Sequence, residues 1–453
     1  MKRSDQLLPG PAHGSPWASF WPLLLLLLLW PIGSFLQNAA LFDPYFARII
    51  CLVGLNITLA VSLQLINGIS GQFSLGHAGF MAVGAYMAAY PAHAMLATDA
   101  KDAHLRLLTN PLAPLLFYLD IAVVGLCVVG ICWLLFGVFR LLRRLGNWAM
   151  AVGLLVVAIW LLTDMAMGSG QDGAPPPYLV WSSLNYWLHA LFDALLARGL
   201  PMTHQVAAML PGAVADVLKG PVAYFLTCLV LLIGGGLCAA GAGLLIGIPV
   251  LRLRGDYLAI ATLGFAEIIA VLINNSQPLG GALGLSDIPR FAGFGWIYGV
   301  AILTTIAVWR LTHSARGRAM LAVREDEVAA SAIGIDPAHS RIMAFVVGAF
   351  FAGVAGALFA HFEGYITPRH FQFMRSIELV VMVTLAGAGS LSGTILAAIV
   401  LTVMPELLRS FSEWRMVIYS LLLIIMMLLR PEGLLGGREL IPRRWRGDAD
   451  VSA

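Results

Sequence analysis

From Gly71 the chain reads Gly-Gln-Phe-Ser-Leu-Gly-His-Ala-Gly-Phe-Met-Ala-Val-Gly-Ala-Tyr, ending at Tyr86, with glycines and polar side chains inside an apolar stretch. Lipid offers no hydrogen-bond partners, so irregular or glycine-rich backbone at membrane depth persists only where protein or a water-lined cavity surrounds it. The stretch therefore predicts the wall of a passage through the membrane, and a plain anchor would not need it.

The composition indicates that most of the surface faces hydrocarbon. Apolar residues make up 60% of the chain and charged residues only 11%, whereas a soluble domain carries about 25% charge. We therefore expect an all-α integral membrane protein, a polytopic bundle of about 10–12 transmembrane helices with broken or re-entrant elements. The net charge of +3 gives no reason to expect nucleic acid as a partner.

Hydropathy predicts spans near 17–36, 45–66, 74–96, 114–139, 147–167, 222–247, 256–273, 294–311, 341–362, a broken pair across 377–408, and 414–430. The predicted organisation is a cytoplasmic tail (1–16), a transmembrane domain (17–430) and a second cytoplasmic tail (431–453). Inside the transmembrane domain, a Pro- and Gly-rich insertion (168–220) is expected outside the cytoplasm, and a charged loop (312–340) inside it.

Basic residues support this orientation, because loops on the cytoplasmic side carry an excess of Lys and Arg. Alternating crossings bring five groups of basic residues to one side, provided that the chain breaks near Ala386-Gly-Ala-Gly-Ser-Leu-Ser-Gly393. The groups are Lys2 and Arg3; Arg140, Arg143 and Arg144; Arg252 and Arg254; Arg310, Arg316, Arg318 and Arg324; and Arg430, Arg438, Arg443, Arg444 and Arg446.

Two glycine-rich elements thus interrupt apolar sequence, one early (67–86) and one late (386–393). Breaks at matching places in two halves are the usual pointer to a midplane site in a transporter built from repeats. The glycines expected to break the helices are Gly71, Gly76, Gly79, Gly387, Gly389 and Gly393.

Four polar residues are candidates for the translocation path: Gln72, Ser74, His77 and Glu267. Ionisable groups inside a membrane are expensive, so Glu267 either faces the bundle interior or reaches the outer interface by tilt. His77 either lines the path or bonds a backbone carbonyl freed by the glycines, and the structural interpretation is preferred. Asn56, Gln64 and Asn67 share a helical face and predict a polar seam between helices.

The segment between the predicted spans at 294–311 and 341–362 contains a short charged helix with a slim alanine face. Such a helix fits a groove on a soluble partner, although an ordinary charged loop would have a similar sequence. The helix is expected to start at Arg324 and to stop at Gly334 as a C-cap. The predicted docking residues are Arg324, Glu325, Asp326, Glu327, Ala329, Ala330 and Gly334.

Several stretches of the sequence resemble those of a known protein family. Glu327-Val-Ala-Ala-Ser-Ala-Ile-Gly334 resembles the coupling loop of ATP-binding-cassette importer permeases. Gly68–Phe80, Leu253–Ile268 and the run 314–393 resemble the branched-chain amino acid importers, and Arg254-Gly-Asp-Tyr257 resembles their M-type subunit. Urea and short-amide permeases share the pattern. The chain departs from it at Ala270, where relatives carry Arg, and in the long 168–220 insertion.

The resemblance implies partners. They are a homologous second permease subunit, two cytoplasmic ATPases and a periplasmic solute-binding protein, around a small-molecule substrate in the lipid of a bacterial inner membrane. None of the three lysines follows a glycine, so the chain lacks the phosphate-binding Gly-Lys-Ser/Thr loop and is expected to be no enzyme. No metal site and no cofactor are predicted. The competing hypothesis is a self-sufficient secondary transporter or channel with an ion-coupled site at the breaks.

Overall fold

The computed structural model describes residues 44–96, 221–250, 255–276, 279–387 and 389–408, with isolated positions between 417 and 434. The chain divides into two compact units, Met1–Thr98 with Leu231–Ala453, and Asp99–Val230. Only residues 221–230 of the second unit are described, so the architecture below is that of the first. Several predicted segments lie outside the described residues: the spans 17–36, 114–139 and 147–167, most of 414–430, the 168–220 insertion, the 1–16 tail and nearly all of the 431–453 tail. Of the basic groups named above, only Arg310, Arg316, Arg318 and Arg324 are described.

Ten α-helices are described. They are α1 (Pro44–Gln64), α2 (His77–Leu96), α3 (Pro221–Val250), α4 (Asp256–Asn275), α5 (Phe294–His313), α6 (Ala315–Glu325), α7 (Glu327–Ala332), α8 (Pro337–Glu363), α9 (Phe373–Ala386) and α10 (Leu391–Leu407). Five segments are long and apolar enough to cross a membrane: Tyr45–Ile69, Phe225–Val250, Tyr257–Asn275, Phe294–His313 and Pro337–Glu363. The predicted class, an all-α polytopic membrane protein, is confirmed, and the described residues contain no strand beyond a single bridge between Leu285 and Ile366.

The core forms where α2 and α8 lie against each other, the most extensive helix contact in the described residues. Their backbones nearly touch: a Cβ on Gly356 would lie 2.0 Å from the Met81 carbonyl oxygen, and one on Gly84 would lie 2.1 Å from that of Gly353. Small residues at a membrane helix interface permit this approach and maximise van der Waals contact. Helix α1 packs against α5, α8, α9 and α10 and is almost entirely buried.

The early glycine-rich element connects two helices. Helix α1 ends in a π-helical turn, Leu65–Ile69, and residues 71–76 are non-helical before α2 begins at His77. The prediction of a span from residue 74 is therefore wrong by three residues. Gly71 has a φ of 72°, a left-handed conformation that glycine adopts without a Cβ penalty.

The late element is a true break, as the charge pattern predicts. Helix α9 ends at Ala386, Gly387 and Gly389 have φ values of 92° and 90°, and α10 begins at Leu391. The Ser390 side chain caps α10 by accepting a hydrogen bond from the Gly393 N–H. Helices α9 and α10 then pack against each other, which one straight helix could not do.

The predicted docking segment consists of two helices, because Asp326 interrupts it. The Asp326 carboxylate accepts hydrogen bonds from the Val328 and Ala329 N–H groups and so caps α7. The prediction that one helix starts at Arg324 is wrong: Arg324 and Glu325 end α6, and α7 begins at Glu327. Gly334 ends α7 with a φ of 88°, and the Ile335 N–H donates to the Ala330 carbonyl in a Schellman-type cap.

The α2–α8 contact makes a first prediction. Gly356→Val should lower the free energy of unfolding by more than the roughly 1–3 kcal/mol usual for overpacking, because the obstructing atom is backbone. The measurement is the Tm and the monodisperse yield of purified protein in detergent. Gly299→Val is the matched control, since no atom outside its own helix turn lies within 4 Å of a Cβ there. Equal effects of the two substitutions would contradict the close-packed interface.

Candidate functional site

One arginine connects the docking segment to both glycine-rich elements. The Arg324 Nη1 atom donates a 2.6 Å hydrogen bond to the Gly68 carbonyl oxygen, which belongs to the π-helical turn. A Cβ on Gly71 would lie 2.8 Å from Arg324 Cγ, and one on Gly389 would lie 3.6 Å from Arg324 Nη1. The arginine therefore lies against the two breaks, and its head group replaces the hydrogen bond that the helix end leaves unmade.

A glutamine joins the two breaks directly. The Gln64 Nε2 atom donates a 3.0 Å hydrogen bond to the Gly387 carbonyl oxygen. The Gln64 side chain occupies the space over Gly68, where a Cβ would lie 2.5 Å from Cδ. Gly433 packs against Gly387, and the Leu434 N–H donates to the Leu385 carbonyl. The breaks thus form one polar-bonded unit at the end of α1 beside α6, and a midplane position for them stays a prediction.

A second connection runs from α7 through the start of α8. The Glu327 carboxylate and the Arg341 guanidinium form an ion pair with an N–O distance of 3.0 Å. The Arg341 carbonyl oxygen accepts a 3.2 Å hydrogen bond from Gln72 Nε2, in the non-helical stretch before α2. Gln72 also bonds the Ser70 hydroxyl. Two residues of the predicted docking set, Arg324 and Glu327, thus face inward.

The outward surface of this helix pair carries two large apolar side chains. Val328 is 80% exposed and Ile333 is 74% exposed, whereas Ala330 is buried against the bundle. The charged residues Glu325 and Asp326 are exposed beside them, as are Ala329 and Gly334.

Three of the four path candidates lie together and are buried. His77 Nε2 is 2.8 Å from the Ser62 hydroxyl on α1, and the Ser74 N–H donates to Asn67 Oδ1 at 3.2 Å. Gln72, Ser74 and His77 are each at most 3% exposed. The predicted polar seam is present, since Asn56, Gln64 and Asn67 all bond polar groups outside α1.

Glu267 lies apart from the other three candidates. It is exposed on α4, in a stripe with Ile260, Ile268 and Val271. The opposite face of α4 packs on α2, where a Cβ on Gly79 would lie 2.9 Å from the Ala266 Cα.

The six predicted glycines divide into two groups. Gly71, Gly387 and Gly389 have positive φ values and occupy the breaks. Gly76, Gly79 and Gly393 instead allow close approach: a Cβ on Gly76 would lie 2.6 Å from the Thr262 carbonyl, and one on Gly393 would lie 2.6 Å from that of Ala386. Gly79 and Gly393 lie inside α2 and α10.

Unpaired polar atoms concentrate in the early element. Of seven buried side-chain nitrogen and oxygen atoms without a protein partner in the described residues, four belong to residues 64–77: Gln64 Oε1, Asn67 Nδ2, Gln72 Oε1 and His77 Nδ1. Buried polar groups are normally satisfied by protein or by ordered water. The early element thus holds most of the buried polar atoms for which the described residues supply no partner.

The sequence analysis missed a charged pair on α9. Arg375 Nη1 is 2.8 Å from Glu378 Oε2, and Arg375 Nη2 donates to Asn56 Oδ1. Asn56 in turn donates to the Thr402 hydroxyl at 2.8 Å. Arg375 falls just before the predicted span at 377; an Arg and a Glu three residues apart at the edge of an apolar run could have revealed the pair. Among the described residues, no three His, Cys, Asp or Glu side chains form a group that could hold a metal.

Comparison with protein families decides the identity. A model described as the permease component of a branched-chain amino acid transport system matches residues 190–429, more than half of the chain. The chain belongs to this permease family. No solved structure shows a significant match to it.

Individual relatives agree with the M-type resemblance, which is confirmed. The high-affinity branched-chain amino acid transport permease LivM of Escherichia coli K12 is 41% identical over 246 residues, 47% of this chain and 57% of the relative. LivH of the same organism is 34% identical over 144 residues, 30% of this chain and 46% of LivH. A probable LivM of Methanocaldococcus jannaschii is 24% identical over 220 residues, 43% of this chain and 64% of that protein. The permease thus spans somewhat more than half the length of the LivM proteins it matches.

The Ser62–His77 contact makes a second prediction. Ser62→Ala should lower the free energy of unfolding of the permease by about 1–3 kcal/mol, because it leaves a buried imidazole nitrogen without a partner. In a double-mutant cycle with His77→Leu, the two effects should be non-additive by about 0.5–3 kcal/mol. Thermal unfolding in lipid nanodiscs gives both values. Additive effects on stability, with transport lost only in His77→Leu, would instead assign His77 to the path.

Proposed function

We propose that this permease is the M-type membrane subunit of an ATP-driven importer in a bacterial inner membrane. The observation that carries the proposal is the α6–α7 pair: an exposed apolar surface on one side, and Arg324 bonded to the π-helical turn on the other. Such a pair can receive a displacement from a soluble partner and transmit it to the breaks. The similarity to LivM and LivH supports this assignment.

Docking to an ATPase uses Val328 and Ile333, with Glu325, Asp326, Ala329 and Gly334 around them. The Schellman-type cap at Gly334 and the Asp326 cap hold α7 as a rigid short helix, which lowers the entropic cost of docking. Basic residues Arg310, Arg316, Arg318 and Arg324 lie at the same end, on α5 and α6, which supports a cytoplasmic position. Two ATPases act in the importer, one on each permease subunit.

Transport follows alternating access. Closure of the ATPases moves α7, and the Glu327–Arg341 and Arg324–Gly68 contacts carry that movement to the breaks. The unpaired polar atoms of residues 64–77 support a wetted path beside the early element. A homologous second permease subunit covers the α4 stripe and encloses the path, because a carboxylate such as Glu267 needs a polar partner at membrane depth.

The substrate is a branched-chain amino acid or a similar small polar solute, delivered by a periplasmic binding protein. A membrane chain with only 11% charged residues suits a net-neutral solute better than a multiply charged ion. Urea and short amides are the alternative cargo. An isolated permease that accumulated solute on a proton or sodium gradient would instead be a secondary transporter and would overturn the proposal.

The docking surface gives a third prediction. Val328→Asp should weaken ATPase binding about tenfold or more, because an unpaired carboxylate would be desolvated in the interface. Co-purification of the ATPase with the permease, and ATP-dependent uptake in proteoliposomes, measure the effect. Val328→Ile is the matched control and should retain both. Undiminished ATPase binding by Val328→Asp would contradict docking at α7.

Transmission by Arg324 gives a fourth prediction. Arg324→Gln should keep the ATPase bound but reduce uptake per ATP hydrolysed about tenfold or more, since it removes a charge-assisted bond to a backbone carbonyl. Arg318→Gln removes the same charge from the same helix, where the guanidinium bonds only the His313 carbonyl among the described residues, and should couple normally. If Arg324→Gln released the ATPase as Val328→Asp does, Arg324 would be a docking residue.

A further inference from the structure

Helix α9 begins beside the middle of helix α1. Arg375, near its start, bonds Asn56, which lies close to the middle of the 25-residue apolar span Tyr45–Ile69. Gly387, just beyond its end, bonds Gln64. Helix α9 therefore runs beside the second half of α1 as far as the breaks, and the charged pair on its first turns lies level with the middle of that apolar span.

Opposite charges on that turn are held in a fixed arrangement. Arg375 is joined to Asn56, and Asn56 to Thr402, so the guanidinium is fixed by α1 and α10 as well as by Glu378. The Arg375 side chain is 21% exposed and the Glu378 side chain is 54% exposed. Two of the five guanidinium N–H donors have partners here, which leaves further donors for a carboxylate.

We infer that Arg375 and Glu378 form a substrate-contact site for a zwitterionic amino acid with an apolar side chain; this rests on the proposed function. The substrate carboxylate takes the free donors of Arg375, which suit a planar carboxylate. The substrate ammonium takes the exposed Glu378 carboxylate. Met374, which is 69% exposed on the same turn, offers an apolar contact for the aliphatic side chain.

The charge balance explains why this pair suits a zwitterion. Ionisable residues within membrane segments pair with one another and mark substrate pathways. A ligand with both charges can add its carboxylate to the remaining donors of Arg375 and its ammonium to Glu378, so that the site stays net neutral. A ligand with one charge would leave the site with a net charge, which is costly away from water.

The test is direct binding of radiolabelled leucine to the complete importer in nanodiscs without its binding protein. Two competitors each lack one charge: 3-methylbutylamine has no carboxylate, and 4-methylpentanoate has no ammonium. Native importer should bind leucine more tightly than either. Glu378→Gln should weaken leucine binding about tenfold to a hundredfold, the loss expected for one charge-assisted hydrogen bond, and should bind leucine and 4-methylpentanoate alike. Arg375→Gln should bind leucine and 3-methylbutylamine alike.

Glu363→Gln is the matched control, because Glu363 forms the comparable ion pair with Arg48 at the end of α8; it should keep native discrimination. Arg375→Gln also removes a contact between α9 and α1, so this variant can fail to assemble. In that case Glu378→Gln decides the result, and size-exclusion chromatography confirms that it assembles. Three results would overturn the inference. The α9 variants could lose all three ligands in parallel, Glu267→Gln could lose discrimination in their place, or native importer could fail to bind leucine. Importer that accumulates leucine with ATP while both α9 variants discriminate normally would refute this site alone; importer without ATP-dependent uptake would refute the proposed function.

Discussion

In hydrocarbon every backbone polar group must find its partner within the protein, and this permease meets that constraint with side chains where its helices stop. The Gly68 carbonyl is bonded by Arg324 and the Gly387 carbonyl by Gln64. A buried carbonyl left unpaired at such a position costs about 1–3 kcal/mol. The helix ends are therefore stable only while these two side chains stay in place, and the surrounding architecture follows from keeping them there.

This requirement also couples distant parts of the chain. Arg324 belongs to α6, outside the bundle, yet its head group completes a helix end inside it. Glu327 reaches the same region through Arg341 and Gln72. A displacement of α6 and α7 must either carry the early element along or break charge-assisted bonds worth about 1.5–3 kcal/mol each. The same bonds that stabilise the irregular backbone therefore join the helix pair to it.

The sequence allowed part of this to be predicted, and the limits have physical causes. The break at 386–393 could be predicted because glycines and the basic tail both required it. The start of α7 was misplaced because Asp326 has two roles to choose between, a helical residue or a cap, and only its bonds to Val328 and Ala329 decide. The inward direction of Arg324 could not be predicted, since an arginine beside acidic residues in the sequence is usually a solvated surface charge. The partner of Arg375 is more than 300 residues away in sequence, so spacing carries no signal for it.

The polar contacts of helix α1 follow one another along its length. Asn56 bonds Arg375 and Thr402 near the middle of the span, and Ser62 bonds His77 six residues further on. At the end of the span, Gln64 bonds Gly387 of the late break, and the Gly68 carbonyl accepts a hydrogen bond from Arg324. These contacts join α1 to α2, α6, α9 and α10 along a single buried helix. Since buried interfaces repack between discrete states more readily than they deform, a shift of α1 relative to α9 changes the mid-depth charged pair and the breaks together. The position of Arg375 and Glu378 on α9, beside the half of α1 that Arg324 holds, is what would allow events at the helix pair to alter affinity at mid-depth.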